Sequence, residues 1–216
     1  GSHHTTAADL CRIMSYCTWK SPKSEELVAV TRTSEHAFTD LEGKSFAVAN
    51  KNVFLDMMGC AVTGKTGFTG KAGYCYVAAA EEGGRKFCIA LLACGWPNNK
   101  NYKWADAKTL FGYGLDHYHL YKGTEKKTRI PEVEIAGAYH DDSLAEWGKR
   151  IKVSLYVKGQ NENMTFLKAD WEEATVVHSL DETICAPVKK GDKCGTVSYC
   201  IEGLERYRYD ICAKKS

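Results

Sequence analysis

No run of about 20 apolar residues occurs in this chain, so the sequence carries no membrane-spanning helix. No secretory leader opens it. Charge of either sign is not in excess, with 29 basic against 27 acidic residues for a net +2. The basic stripe of a nucleic-acid-binding protein is missing, which argues against nucleic acid as a partner. Ten cysteines include no Cys-x-x-Cys pair, so zinc-ribbon and zinc-finger patterns are excluded and no structural metal is expected. They also fall short of the roughly 8–10% of residues that marks a disulfide scaffold. Internal repeats and low-complexity segments are absent.

What is present is enough for real cores: 216 residues, 44% of them hydrophobic, allow one or two domains. Thr6-Ala7-Ala8-Asp9 reads as a capping-box-like start, and Leu10, Ile13, Met14 and Cys17 follow at helical spacing, predicting a helix over 6–17. Ser21-Pro22 breaks the chain and opens a short second helix through Leu27 to Val30. Strand-like material covers Thr31 to Phe38 and Lys44 to Ala49. The runs 73–80 and 86–94 are apolar on both faces, which predicts central strands covered by helices on each side. Residues 102–117 read as a closing helix, with Trp104, Leu110, Phe111 and Leu115 available to cover the sheet.

Charge and turn residues then gather at Lys122 to Thr128, where the domain boundary is placed. Beyond it short alternating runs, such as Ile151 to Val157 and Ala174 to His178, are separated by turn signals and predict a small β sandwich. Basic and acidic residues are equal in number from 122 onward, so this part offers no electrostatic case for anionic glycans or lipid. Geometry keeps some thiols apart. If Gly83-Gly84 is a two-residue turn, Cys75 falls opposite Leu92 and Cys88 opposite Ala79, and if Cys194 and Cys200 share one extended strand they lie ~20 Å apart. Buried thiols acting as small hydrophobes are the plainer reading, although the C-terminal four could still pair.

The most informative stretch is Gly64-Lys65-Thr66-Gly67-Phe68-Thr69-Gly70, which sets a cation, a hydroxyl and a missing side chain in a row on extended backbone. That combination suits a substrate bearing a carboxylate. Side chains alternate along a strand, so Lys65 and Gly67 share one side and Thr66 takes the other, unless an edge strand's twist lets both reach one cleft. Upstream stand Asn50-Lys51-Asn52 and Phe54-Leu55, and Ala72-Gly73-Tyr74-Cys75-Tyr76 follows. In this order the segment resembles the serine-type D-Ala-D-Ala carboxypeptidases, the low-molecular-mass penicillin-binding proteins, whose third motif is a Lys-Thr-Gly strand beside the active serine. His4 to Leu10 resembles the family segment that opens a helix after the second motif, and Ala186 to Lys193 a turn of its C-terminal β domain.

The resemblance implies an α+β architecture. Residues 1–121 would be the C-terminal portion of a penicillin-binding/β-lactamase-like transpeptidase domain, an antiparallel sheet with covering helices, and 122–216 a small all-β sandwich domain. It also implies roles. Lys65 would supply positive charge near the substrate carboxylate and poise the proton network, Thr66 would hydrogen-bond that carboxylate, and Gly67 would let the peptide lie against the strand. The backbone N–H of Phe68 would be one oxyanion-hole donor. Implied partners are the peptidoglycan stem peptide ending in D-Ala-D-Ala and β-lactam antibiotics, with no cofactor, in an extracytoplasmic, cell-envelope setting.

The chain departs from the family pattern in one respect: it contains neither the Ser-x-x-Lys nor the Ser-x-Asn motif. Ser15-Tyr16-Cys17 and Ser198-Tyr199-Cys200 fit a variant of the latter by spelling only and read as structural. The expectation is a C-terminal part of a larger enzyme, inactive alone, with the nucleophile, export signal and membrane anchor on segments outside it. Gly1-Ser2-His3 reads as a cloning scar. The alternative is a non-catalytic cell-wall scaffolding module in which the Lys-Thr-Gly strand is a remnant. Other candidates have plainer readings: His117 and His119 as surface or interdomain residues, His140-Asp141-Asp142 as a turn, and Asn163-Met164-Thr165 as an empty glycosylation match. Trp147 and Trp171 either pack in the β domain or mark a contact face.

Overall fold

A computed structural model describes residues 4–123, 130–138, 151–160, 164–181 and 183–215. The chain divides into two compact units, Gly1–Tyr118 and His119–Ser216. Most of the Lys122 to Thr128 cluster, where the sequence put the boundary, lies outside the described residues, as do His140 to Asp142, Trp147 and Asn163.

In the first unit, helix α1 (Ala7–Trp19) starts at Thr6. The Asp9 N–H donates to Thr6 Oγ1 at 3.1 Å, and the Thr6 hydroxyl donates back to the Asp9 carboxylate at 2.8 Å, which closes the helix start locally. Helix α2 (Ser24–Arg32) runs two residues further than the β-branched Val30-Thr31 pair suggests, so Thr31 and Arg32 are helical where a strand was expected. The cause is tertiary: the Asn50 amide donates to the carbonyls of Thr31 and Thr33 at 2.8 and 3.1 Å, capping the helix end against its own propensity. Strands β1 (Glu35–Thr39) and β2 (Ser45–Ala49) form a hairpin exposed along its whole length, with Phe38 stacked on Phe46.

Helix α3 (Phe54–Met57) leads into the sheet of β3 (Ala61–Thr69), β4 (Gly73–Glu82) and β5 (Arg85–Leu91), antiparallel in the order β3-β4-β5. Positive φ at Gly83 and Gly84 makes the two-residue turn that sets Cys88 opposite Ala79. Among the described residues β5 stands at the end of this sheet, and the 86–94 run ends as a strand at Leu91. Both α1 and helix α4 (Tyr102–His117) lie on it. An apolar two-faced pattern reports covered faces and is blind to whether the strand's edge is paired. The core on the α3/α4 face holds Phe54, Tyr76, Ala78, Ala80, Ile89, Ala107 and Phe111. Leu110, expected to cover the sheet, turns to solvent instead, one residue round from Phe111.

Among its described residues the second unit holds strands and no α-helix. Four strands, β9 (Leu155–Val157), β11 (Ala174–Leu180), β13 (Lys193–Ile201) and β14 (Leu204–Ala213), pair in the order β11-β13-β14-β9. Two smaller sheets complete it: β6 (Tyr118–Lys122) with β10 (Thr165–Ala169), and β7 (Val133–Ala136) with β8 (Lys152–Val153) and β12 (Ile184–Cys185). One core joins Met164 and Phe166 to Val197, Tyr199, Ile201 and Ile211, and a second joins Val153, Ile184, Cys194 and Ala213. The single run expected at 151–157 is split at Ser154, whose carbonyl accepts from the Lys214 N–H at 2.8 Å, so β8 and β9 serve different sheets.

Candidate active site

Strand β3 lies at one end of its sheet, and its two halves differ. Ala61, Thr63 and Gly64 are buried, whereas Lys65, Gly67 and Phe68 are exposed. The first half is tied down. Arg32 donates to the carbonyls of Ala61 and Val62 at 2.6 and 3.2 Å, and the Thr31 and Thr63 hydroxyls share a hydrogen bond of 2.6 Å. The ladder to β4 shifts register between Ala61 and Thr63. Behind Gly64 the buried Tyr76 hydroxyl donates to Asn52 Oδ1 at 2.8 Å. A Cβ on Gly64 would sit 2.6 Å from that hydroxyl and 3.0 Å from Asn52 Nδ2, so glycine is the residue that fits. Burial raises the Tyr76 phenol well above its ordinary pKa, and the bond to Asn52 only partly offsets this, so the phenol stays a donor across the physiological range.

The second half is open. Lys65 pairs with Val77, Thr66 with Tyr76 and Gly67 with Cys75, so alternation puts Lys65 and Gly67 on one face and Thr66 on the other. The Lys65 ammonium donates to the Thr66 carbonyl and lines an open cleft of about 580 Å³ with Val30, His36, Val48, Asn50 and Gly64. Gly67 and Phe68 line a second opening of about 640 Å³ with His4, Leu10, Lys71, Cys75 and Leu92. Lys65 and Gly67 therefore share a face but front different openings, and Thr66 lines neither of these two. A Cβ on Gly67 would meet nothing within 4 Å. The two glycines of the motif thus differ in cause: Gly64 makes room for atoms of the chain itself, and Gly67 leaves room on the outside. The Phe68 ring packs with Tyr74 and Trp96, each at 4.9 Å between centroids.

The remaining candidates are placed as follows. The Ser198 hydroxyl donates to Glu205 at 2.6 Å on the β13–β14 hairpin, a structural contact. Ser15 sits on α1. His117 ends α4 with its ring against Tyr113 at 4.7 Å, and His119 pairs with Asp170 at 3.2 Å. Trp171 is exposed. All ten cysteines are free thiols. Burial pushes the thiols of Cys11 and Cys60 up, that of Cys88 to about 12 and that of Cys94 to about 11, which keeps them protonated and poor nucleophiles at neutral pH. Among the described residues no group of three His, Cys, Asp or Glu could hold a metal, and no helix is long and apolar enough to cross a membrane. Sequence reasoning quoted Asn50 and Asn52 without assigning them work. The available signal was two amides, two residues apart, just ahead of an apolar strand.

Residues 1–93 match the model of the D-alanyl-D-alanine carboxypeptidase family, peptidase S11. Over 213 residues the chain is 21% identical to the D-alanyl-D-alanine carboxypeptidase DacF of Bacillus subtilis, covering 99% of this chain and 50% of that protein. Penicillin-binding protein 5 from Haemophilus influenzae superposes with a TM-score of 0.58 at 18% identity, over 98% of this chain and 56% of its own. A D-alanyl-D-alanine carboxypeptidase from Mycobacterium tuberculosis H37Rv is 29% identical over 54% of this chain and 42% of its own, with a TM-score of 0.45. The chain spans about half the length of these relatives. Its mixed α+β architecture with antiparallel sheets is that of the penicillin-binding protein 5 fold.

Proposed function

We propose, taking this chain as a partial member of the D-alanyl-D-alanine carboxypeptidase family, that the open half of β3 is the carboxylate-binding wall of a serine-type carboxypeptidase acting on peptidoglycan stem peptides. One observation carries the reading: a cation, a hydroxyl and an unobstructed glycine stand in sequence on the exposed half of a strand whose outer edge no described strand pairs. An extended peptide laid along such an edge gains main-chain hydrogen bonds, and the motif's side chains then read its end. Lys65, released from the Thr66 carbonyl, attracts the terminal carboxylate, and although alternation gives Thr66 the other face, the twist of an open edge brings its hydroxyl to the same carboxylate. Gly67 lets the two backbones approach.

In this reading a serine supplied by a segment outside the chain attacks the carbonyl carbon of the penultimate D-alanine. The Phe68 N–H and the serine's own N–H stabilise the oxyanion. The C–N bond breaks, the terminal D-alanine leaves with the serine's proton, and water then hydrolyses the acyl-enzyme. A β-lactam would acylate the same serine, and the work would take place outside the cytoplasm, at the cell wall. The first unit supplies the wall of this site, and the β unit is read as the C-terminal sandwich domain. The test is covalent labelling with a fluorescent penicillin. The complete protein should be labelled and residues 1–216 alone should not. Labelling of the chain alone, or none of the complete protein, would sink the proposal. In the second case, a complete sequence lacking both serine motifs would favour the scaffolding module.

A further inference from the structure

We propose that Asn52 and Tyr76 are positioning residues that set the register of β3 against β4 and thereby fix which face Lys65 and Thr66 present; the catalytic part of this inference rests on the reading of β3 given above. The pair is a polar island. Asn52 is 7% and Tyr76 1% exposed, and the phenol's neighbours are the apolar Phe54, Ala78 and Phe111 cluster. A phenylalanine could pack the same ring volume, so the directional bond from the Tyr76 hydroxyl to Asn52 Oδ1, at 2.8 Å, is what the hydroxyl adds.

Its location gives that bond a task. The β3–β4 ladder is irregular between Ala61 and Thr63, two residues before the pair's contact with Gly64. Past a bulge, ladder hydrogen bonds alone leave register weakly specified, and a slip by one residue sends every side chain to the opposite face. Here such a slip would exchange Lys65 with Thr66. Tyr76 stands directly opposite Thr66, and its hydroxyl passes behind the missing side chain of Gly64 to reach Asn52. In a slipped register a side-chain-bearing residue would occupy that gap, and the bond would be lost.

Asn52 is itself held from the other side. Its N–H donates to Asn50 Oδ1 at 2.9 Å, and the Asn50 amide caps the end of α2. Arg32 and Thr31 of that same helix end grip the buried half of β3. The result is a continuous run of hydrogen bonds from α2 through Asn50, Asn52 and Tyr76 to the strand position facing Thr66. The second amide hydrogen-bonding group, Asn52 Nδ2, has no acceptor among the described residues and lies against Gly64.

The test uses Tyr76→Phe, Asn52→Ala and the double variant in the complete protein, reading both the rate of acylation by a labelled penicillin per active site and the final stoichiometry. Each single change should slow acylation by about 3–10-fold, the scale of one neutral hydrogen bond, while stoichiometry stays at that of the unsubstituted protein. The double variant should be little slower than the worse single one, because both delete the same bond. Multiplying losses, or a loss of labelled fraction with the rate intact, would overturn the proposal. Amide hydrogen exchange in residues 1–216 gives an arm independent of catalysis: Lys65 to Phe68 should exchange faster in Tyr76→Phe. Unchanged exchange there overturns the positioning role. If the unsubstituted complete protein takes up no penicillin, the functional reading fails, and the exchange result alone decides the pair.

Discussion

The two halves of β3 share one backbone and differ in what they face. From Ala61 to Gly64 the strand is held by the protein: a guanidinium on two carbonyls, a hydroxyl on a hydroxyl, and a buried phenol against a glycine. From Lys65 to Phe68 the strand is exposed apart from a half-buried Thr66, and the lysine donates to the next residue's carbonyl. Rigid support ending where exposed chemistry begins is the arrangement a binding strand needs, because a site is only as well placed as the element under it. It follows that substitutions in the open half should cost function at constant stability, and those in the held half should cost stability first.

The sharpest break of that contrast comes from Lys65→Ala and Thr66→Val in the complete protein. In the proposed function, removing the lysine takes away a charge acting on both carboxylate and proton network, so kcat should fall and KM rise, with kcat/KM down about 10³-fold, the upper end for a preorganised electrostatic group. The valine change removes one hydroxyl and keeps a β-branched shape, so kcat/KM should fall about 10–150-fold, the worth of a hydrogen bond to a charged group. Neither should move Tm appreciably. Steady-state kinetics on a D-Ala-D-Ala peptide and its C-terminal amide, beside a melting curve, check this. An equal loss for Thr66→Val on both substrates would remove it as the carboxylate anchor, and a large fall in Tm for Lys65→Ala would erase the difference between the halves.

How far this contrast could be read from sequence depends on the range of the forces behind it. Local signals were legible: the Thr6 cap, the Gly83-Gly84 turn and the 102–117 helix are written in neighbouring residues. The alternation that separates Lys65 from Thr66 follows from the strand period alone. What escaped was set across the sequence. Thr31 is helical because an amide 19 residues away caps it. The place of β5 beside β4, at the end of the described sheet, is set by strand pairing and not by its own composition. Asn52 received no role from the sequence, because its partner lies 24 residues on.

A subtler break uses the motif's two glycines. Gly64→Ala would press a methyl group to 2.6 Å from the Tyr76 hydroxyl, so we expect a loss of about 1–3 kcal/mol in stability, typical of overpacking. Gly67→Ala meets no atom within 4 Å and should leave stability unchanged or raise it by about 0.5–1 kcal/mol, since a strand interior favours alanine over glycine. Its penalty should fall on penicillin acylation, where the methyl would hold the incoming backbone away. Urea unfolding of both variants with acylation rates alongside tells them apart. Equal destabilisation, or an unimpaired Gly67→Ala, would mean that the open half is not kept open for a ligand.

The smallest effect should come from the framework outside β3, at the start of α1. Thr6→Ala removes the acceptor for the Asp9 N–H and should cost about 1 kcal/mol, the usual worth of an N-cap, with no change in the acylation rate per active site. The same hydroxyl, and then Arg12, hold the Asp9 carboxyl below its ordinary pKa. A carboxyl depressed in the folded state contributes stability that is complete above its unfolded pKa and is lost as pH falls through the folded one. The deficit of Thr6→Ala relative to the unsubstituted chain should therefore be largest at neutral pH and narrow as pH drops through the aspartate range. Asp9 and Arg12 pair at the surface, so salt should shrink the Arg12 part of the effect and spare the Thr6 part. Thermal melts at neutral and strongly acidic pH, each at low and high salt, measure it. A deficit that stays constant into acid would show that the cap works through the backbone N–H alone, and a fall in acylation rate would show that the start of α1 belongs to the site and not to its support.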